Sequence, residues 1–118
     1  MTKFAVFIFA DPETTEGLGR VVNAMEMVKE LREANHDVKL YFDGYGTGWP
    51  AKLSGKDHIA HKLFESVKGK DVGACTFCAT AFNTKGGVQQ SSIQLINEYD
   101  QHISIAKLVS NGYQIVNF

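Results

Sequence analysis

Lys3–Ala10 reads KFAVFIFA, a nearly unbroken apolar run, and how it is read decides the fold. A strand with one wet face alternates apolar and polar residues, whereas a strand covered on both faces has no position to give to a polar side chain. The run therefore predicts a strand central to its sheet. It stops at Asp11-Pro12, too soon for a signal-peptide core or a membrane span, so a cytosolic chain is expected.

Outward from this strand the periodicity changes. Leu18, Val21, Val22, Met25, Val28 and Leu31 recur at steps of three and four, which is the apolar stripe of a helix, and Asn35 is placed to end it. Val38, Leu40 and Phe42 alternate with Lys39 and Tyr41 and predict a second strand. Gly44, Gly46, Gly48 and Pro50 predict a loop. Ile59, Leu63, Phe64 and Val67 predict a helix closed by Gly69. A third strand is expected over Asp71–Phe77, a short helix from Cys78 to about Asn83 stopped by Gly86-Gly87, and a weaker strand over Ser92–Asn97. A last helix near Ser104–Asn111 is capped at Gly112, and Tyr113–Phe118 is the final strand. Five strands alternating with four helices in 118 residues predict one domain over residues 1–118. Its class is α/β: a three-layer α/β/α sandwich with a five-stranded parallel sheet, flavodoxin-like in architecture, because each crossover must return the chain over a face.

Charge removes some function classes. Lys plus Arg number 12 against 13 for Asp plus Glu, a net charge of -1 that gives no basic footprint for nucleic acid or an anionic membrane. In open parallel sheets ligands gather beyond the carboxyl ends of the strands. The loops predicted there are Asp11–Thr15, Asp43–Trp49, Cys75–Cys78 and Glu98–His102.

The third loop holds both cysteines of the chain. In a reducing cytosol such a pair is inert, catalytic or metal-bound more often than it is a permanent disulfide. Cys78 is expected at a helix start, where free N–H groups and the helix dipole lower a thiol's pKa. Cys75 is expected late in the strand, buried and less acidic. A structural zinc site normally needs four ligands, and His36, His58, His61 and His102 show no paired spacing after the single CxxC, so no metal and no cofactor is expected. A thioredoxin-like site would place the dithiol after an early strand with a proline downstream, but Pro12 and Pro50 both precede it. A cysteine phosphatase loop needs an arginine a few residues on, and the arginines are Arg20 and Arg32. Gly17 and Gly19 lack the third glycine of a dinucleotide fingerprint. A phospho-receiver needs an acceptor aspartate where the cysteines stand. A nucleotide or flavin binder, with Trp49 or Tyr45 stacking on a ring, stays open beside the thiol chemistry.

CTFCATAFNTKGG, the closing SIAKLVSNGYQIVNF and the length of the chain resemble the DsrE/DsrF-like sulfur-relay family, and the resemblance spans essentially the whole chain. It implies a cysteine persulfide carrier, with Cys78, followed by Ala79, Ala81, Lys85 and Gly86, at the sulfur-bearing position. Lys85 stands where an arginine is frequent in that family, and Cys75 is an addition. The resemblance also implies a homo-oligomer, trimeric or hexameric, with donor and acceptor proteins as partners. Within this reading Cys75 resolves the persulfide or forms a transient disulfide. His102 exchanges a proton with the thiol or simply begins a helix. Lys85 favours the anion if its helix turns it inward, and is otherwise solvated. Asp11 before Pro12 fits a helix cap, and Asp43 opens a turn. Tyr45 and Trp49 form a wall over the thiol or a subunit interface, and the oligomeric family favours the interface.

Overall fold

The computed structural model describes residues 1–118. The strands are β1 (Lys3–Ile8), β2 (Asp37–Phe42), β3 (Val72–Cys75), β4 (Gln94–Ile96) and β5 (Tyr113–Asn117). The helices are α1 (Thr15–Glu33), α2 (Trp49–Leu53), α3 (His61–Val67), α4 (Thr76–Ala81), α5 (Lys85–Gln90) and α6 (Ile105–Ser110). All pairings are parallel and the strand order is β4-β3-β2-β1-β5, so the expected three-layer α/β/α sandwich with a five-stranded parallel sheet is what the chain forms. β1 is an interior strand paired on both sides, by β2 and by the edge strand β5, although β2 is the middle one, and Ala5, Val6, Phe7 and Ile8 are buried on both of its faces.

The order explains an imbalance between the layers. From β1 to β4 the chain steps in one direction, and right-handed crossovers put α1 to α5 on one face. The step from β4 to β5 reverses direction and puts α6 on the other. The first face packs 20 buried residues, with Val21, Met25 and Val28 of α1 and Phe64 of α3 set against Val6, Ile8, Leu40 and Phe42. The second packs only 6, including Phe7, Tyr41, Cys75 and Leu108, because one six-residue helix has to roof the whole sheet. Ile105 and Val109, one turn apart on α6, stay 46% and 58% exposed, so that face keeps an apolar surface.

Local signals read from the sequence set most boundaries. Thr14 caps α1, its Oγ1 accepting from Gly17 N at 2.9 Å, and Asn35 ends it in the left-handed region at φ 68°. Several elements differ from expectation. β3 stops at Cys75 rather than Phe77, because Cys75 is itself the cap of α4. α3 begins at His61, leaving Ile59 86% exposed. Gly86-Gly87 does not stop a helix but lies inside α5, where a Cβ on Gly87 would meet Ala51 Cβ at 2.7 Å, so the missing side chain lets α5 close on α2. No helix is long and apolar enough to cross a membrane.

Candidate functional site

Residues 44–50 are not a loop. Asp43 leaves β2 with its Oδ1 accepting from Gly44 N at 2.8 Å and caps a 3-10 helix over Gly44–Gly48, which runs into α2 with Pro50 in its first turn. Gly46 permits this, since a Cβ there would lie 1.9 Å from Ile8 O. Thr84 Oγ1 donates to Thr47 Oγ1 at 2.8 Å and ties the segment to the start of α5. Trp49 is only 1% exposed and its Nε1 donates to Ala10 O at 2.8 Å. It is therefore core, neither a wall over the thiol nor an interface side chain, and no ring can stack on it. Tyr45 is 59% exposed and packs on Phe82 with ring centroids 4.6 Å apart.

Asp43 stands beside the cysteines at the edge of the sheet. Cys75 caps α4, and its Sγ accepts from Cys78 N at 3.4 Å, so the amide expected to receive Cys78's charge points at Cys75. The Cys75 side chain is sealed, and burial pushes its thiol up while the Cys78 amide pulls the other way. Cys78 sits in the first turn of α4, partly exposed, and its Sγ donates to Asp43 Oδ1 at 3.3 Å. Its thiol is pushed up to about 12, first by burial and then by the hydrogen bonds with Asp43 and Cys75. This runs against the expected acidic Cys78: partial burial and a carboxylate acceptor both favour the protonated form, and together they outweigh the first turn of a six-residue helix.

His102 is brought in by a tight hairpin. Tyr99 and His102 pair through His102 N→Tyr99 O at 2.7 Å and Tyr99 N→His102 O at 3.0 Å, while Asp100 and Gln101 both take positive φ, 46° and 67°. That is a type I′ turn built without glycine. It does not begin a helix, which starts later at Ile105 with Ser104 as cap. Phe77 N donates to Gln101 O at 2.9 Å and the Phe77 ring lies on the imidazole, fixing it with Nδ1 3.3 Å from Cys75 Sγ. The Cys75 and Cys78 sulfurs and a His102 ring nitrogen all lie within 4.8 Å of one another, a grouping the spacing of the histidines hides. Asp43 and His102 line an open cleft of about 550 Å³ together with Tyr99 and Ile103.

The remaining candidates lie apart from this cluster. Lys85 is exposed at the start of α5 and has no bond to either thiol. Asp11 does not cap α1: its Oδ1 accepts from Glu13 N at 2.8 Å, and it lines a separate cavity of about 440 Å³ between the ends of β1 and β5 with Thr14 and Arg20. Arg32 holds Val67 O at 2.7 Å and Val38 O at 3.2 Å, a purely structural clamp.

The arrangement supplies two thiols three residues apart with different access to solvent, a carboxylate that accepts a hydrogen bond from the more open one, and an imidazole on the sealed one. Similarity to known proteins adds a relative without an assigned activity. The chain is 29% identical over 96 residues to the uncharacterised protein MJ0733 of Methanocaldococcus jannaschii, an alignment covering 81% of this chain and 78% of that one. No protein-family model matches the sequence, and no solved structure matches it significantly.

Proposed function

We propose that this chain is a DsrE-like sulfur-relay protein of the cytosol that accepts sulfane sulfur on Cys78 and hands it on. The observation that carries the reading is the Cys78 Sγ to Asp43 Oδ1 contact of 3.3 Å on a partly exposed thiol. A thiol that is protonated at rest needs a base at the moment of attack, and a carboxylate within hydrogen-bond reach is that base. In the step, Cys78 Sγ attacks the outer sulfur of a donor persulfide, R–S–SH. The donor's S–S bond breaks and a new one forms to Cys78, giving Cys78–S–SH. The proton passes through Asp43 to the leaving thiolate, which departs as R–SH. No net oxidation occurs, and the reverse chemistry on an acceptor thiol completes the relay.

Incubation of the protein with a small-molecule persulfide, followed by intact mass measurement, is expected to show the gain of one sulfur by the wild type and none by Cys78→Ala. Equal uptake by the two proteins would remove Cys78 from the role. The thinly roofed α6 face supports a homo-oligomer, since Ile105 and Val109 sit a turn apart on a surface with little cover. Sedimentation is expected to give a trimer or hexamer that Val109→Glu dissociates, and a monomeric wild type at high concentration would contradict it.

A further inference from the structure

The geometry points to a second use of the same cluster that goes beyond sulfur relay: a site for one soft divalent cation of the zinc class, held by Cys75 Sγ, Cys78 Sγ and a His102 ring nitrogen. These three atoms lie within 4.8 Å of one another, with Cys75 Sγ to His102 Nδ1 at 3.3 Å. Zinc–sulfur bonds of about 2.3 Å and zinc–nitrogen bonds of about 2.0 Å, set at tetrahedral angles, place neighbouring donors roughly 3.5–3.8 Å apart. The donors therefore stand close to that spacing, and small side-chain rotations bring them to it.

Three features favour a cation over an idle cluster. Two thiolates and an imidazole form the donor set that selects zinc-like ions over magnesium or calcium. The supporting backbone is fixed, since Cys75 and Cys78 are anchored in the first turn of α4 and His102 is pinned between the type I′ turn and the Phe77 ring. The Asp43 carboxylate, 3.3 Å from Cys78 Sγ, adds negative charge beside the donors and lines, with His102, an open cleft next to them. Three protein donors leave a fourth position for solvent, which reaches the cluster where Cys78 is partly exposed. Binding expels the two thiol protons, so the cation and the persulfide are alternative states of one cysteine pair.

The test titrates chelator-treated protein with Zn²⁺ in competition with a chromophoric chelator, and with Co²⁺ as a spectroscopic substitute. Expected are one ion per chain at submicromolar Kd, a thiolate-to-cobalt charge-transfer band, and the visible bands of a tetrahedral site. Cys75→Ser, Cys78→Ser and His102→Ala should each weaken binding by at least about tenfold while circular dichroism is unchanged. Should a variant unfold, protection of the partly exposed wild-type Cys78 thiol from alkylation by Zn²⁺ decides the matter. Absence of one-to-one binding, a cobalt spectrum without thiolate charge transfer, undiminished affinity in the double serine variant, or a Cys78 thiol left unprotected each overturn the site. Sulfur uptake measured in excess chelator fails or succeeds independently of these outcomes.

Discussion

Trp49→Ala is expected to lower the stability of the protein by about 3–5 kcal/mol, the range for emptying an aromatic side chain from a packed core. Trp49 is 1% exposed and meets His58 edge-on with ring centroids 6.4 Å apart, so its removal leaves a void bordered by two segments that need it. Single domains hold roughly 5–15 kcal/mol in total, and the loss is therefore a large share. Trp49→Phe separates the two contributions. It keeps most of the apolar volume but withdraws the indole N–H from Ala10 O, a bond of 2.8 Å, and leaves a carbonyl unpartnered at a cost of about 1–3 kcal/mol. Chemical denaturation of the three proteins should rank them wild type, Trp49→Phe, Trp49→Ala. A Trp49→Ala midpoint within error of wild type would show that the side chain is not the anchor described. Sulfur uptake by folded Trp49→Phe should be undiminished, because the indole touches neither thiol nor Asp43.

The same tryptophan shows what the sequence conceals. Three glycines at alternate positions followed by a proline read as breakers, yet only Gly44 among them takes a positive φ, at 54°, while Gly46 is demanded by the approach of Ile8 O and Pro50 by the first turn of α2. Glycine marks either conformational freedom or closeness, and composition alone does not say which. The sheet was legible because KFAVFIFA needs two roofs, and the stripe of α1 because its period is that of a helix. The His102 turn was not, since YDQH carries no Asn-Gly or Asp-Gly signal for a type I′ hairpin. The position of the cysteines was legible, but their division of labour was not. Which sulfur receives the α4 amide depends on β3 ending at Cys75, two residues earlier than the expected Phe77. That shift turns Cys75 into the cap, gives Cys78 to Asp43, and reverses the expected direction of the Cys78 pKa.

If Cys78 carries sulfur as proposed, the division of labour has a consequence for a persulfide left without an acceptor. Cys75 Sγ lies within 4.8 Å of Cys78 Sγ, on the same helical turn, with His102 Nδ1 3.3 Å away to take its proton. Attack of Cys75 on Cys78 Sγ breaks the bond to the carried sulfur, which leaves as hydrogen sulfide, and closes a Cys75–Cys78 disulfide: the sulfane sulfur is reduced and the two cysteines are oxidised. Because both sulfurs are held on one rigid turn, the reaction gains the advantage of an intramolecular step. Wild-type protein loaded with sulfur is therefore expected to lose it with first-order kinetics, independent of protein concentration, releasing one sulfide for each Cys75 thiol and Cys78 persulfide consumed. Cys75→Ser, which gives the Cys78 amide an oxygen acceptor in place of sulfur but has no sulfur to attack with, should hold its persulfide at least about tenfold longer and release little sulfide. The measurement pairs intact mass over time with a sulfide assay. Matching decay in the two proteins would mean that Cys75 is a cap and nothing more, whereas the expected difference would make relay a contest between an external acceptor and the neighbouring thiol, so that the protein delivers sulfur only where an acceptor arrives first.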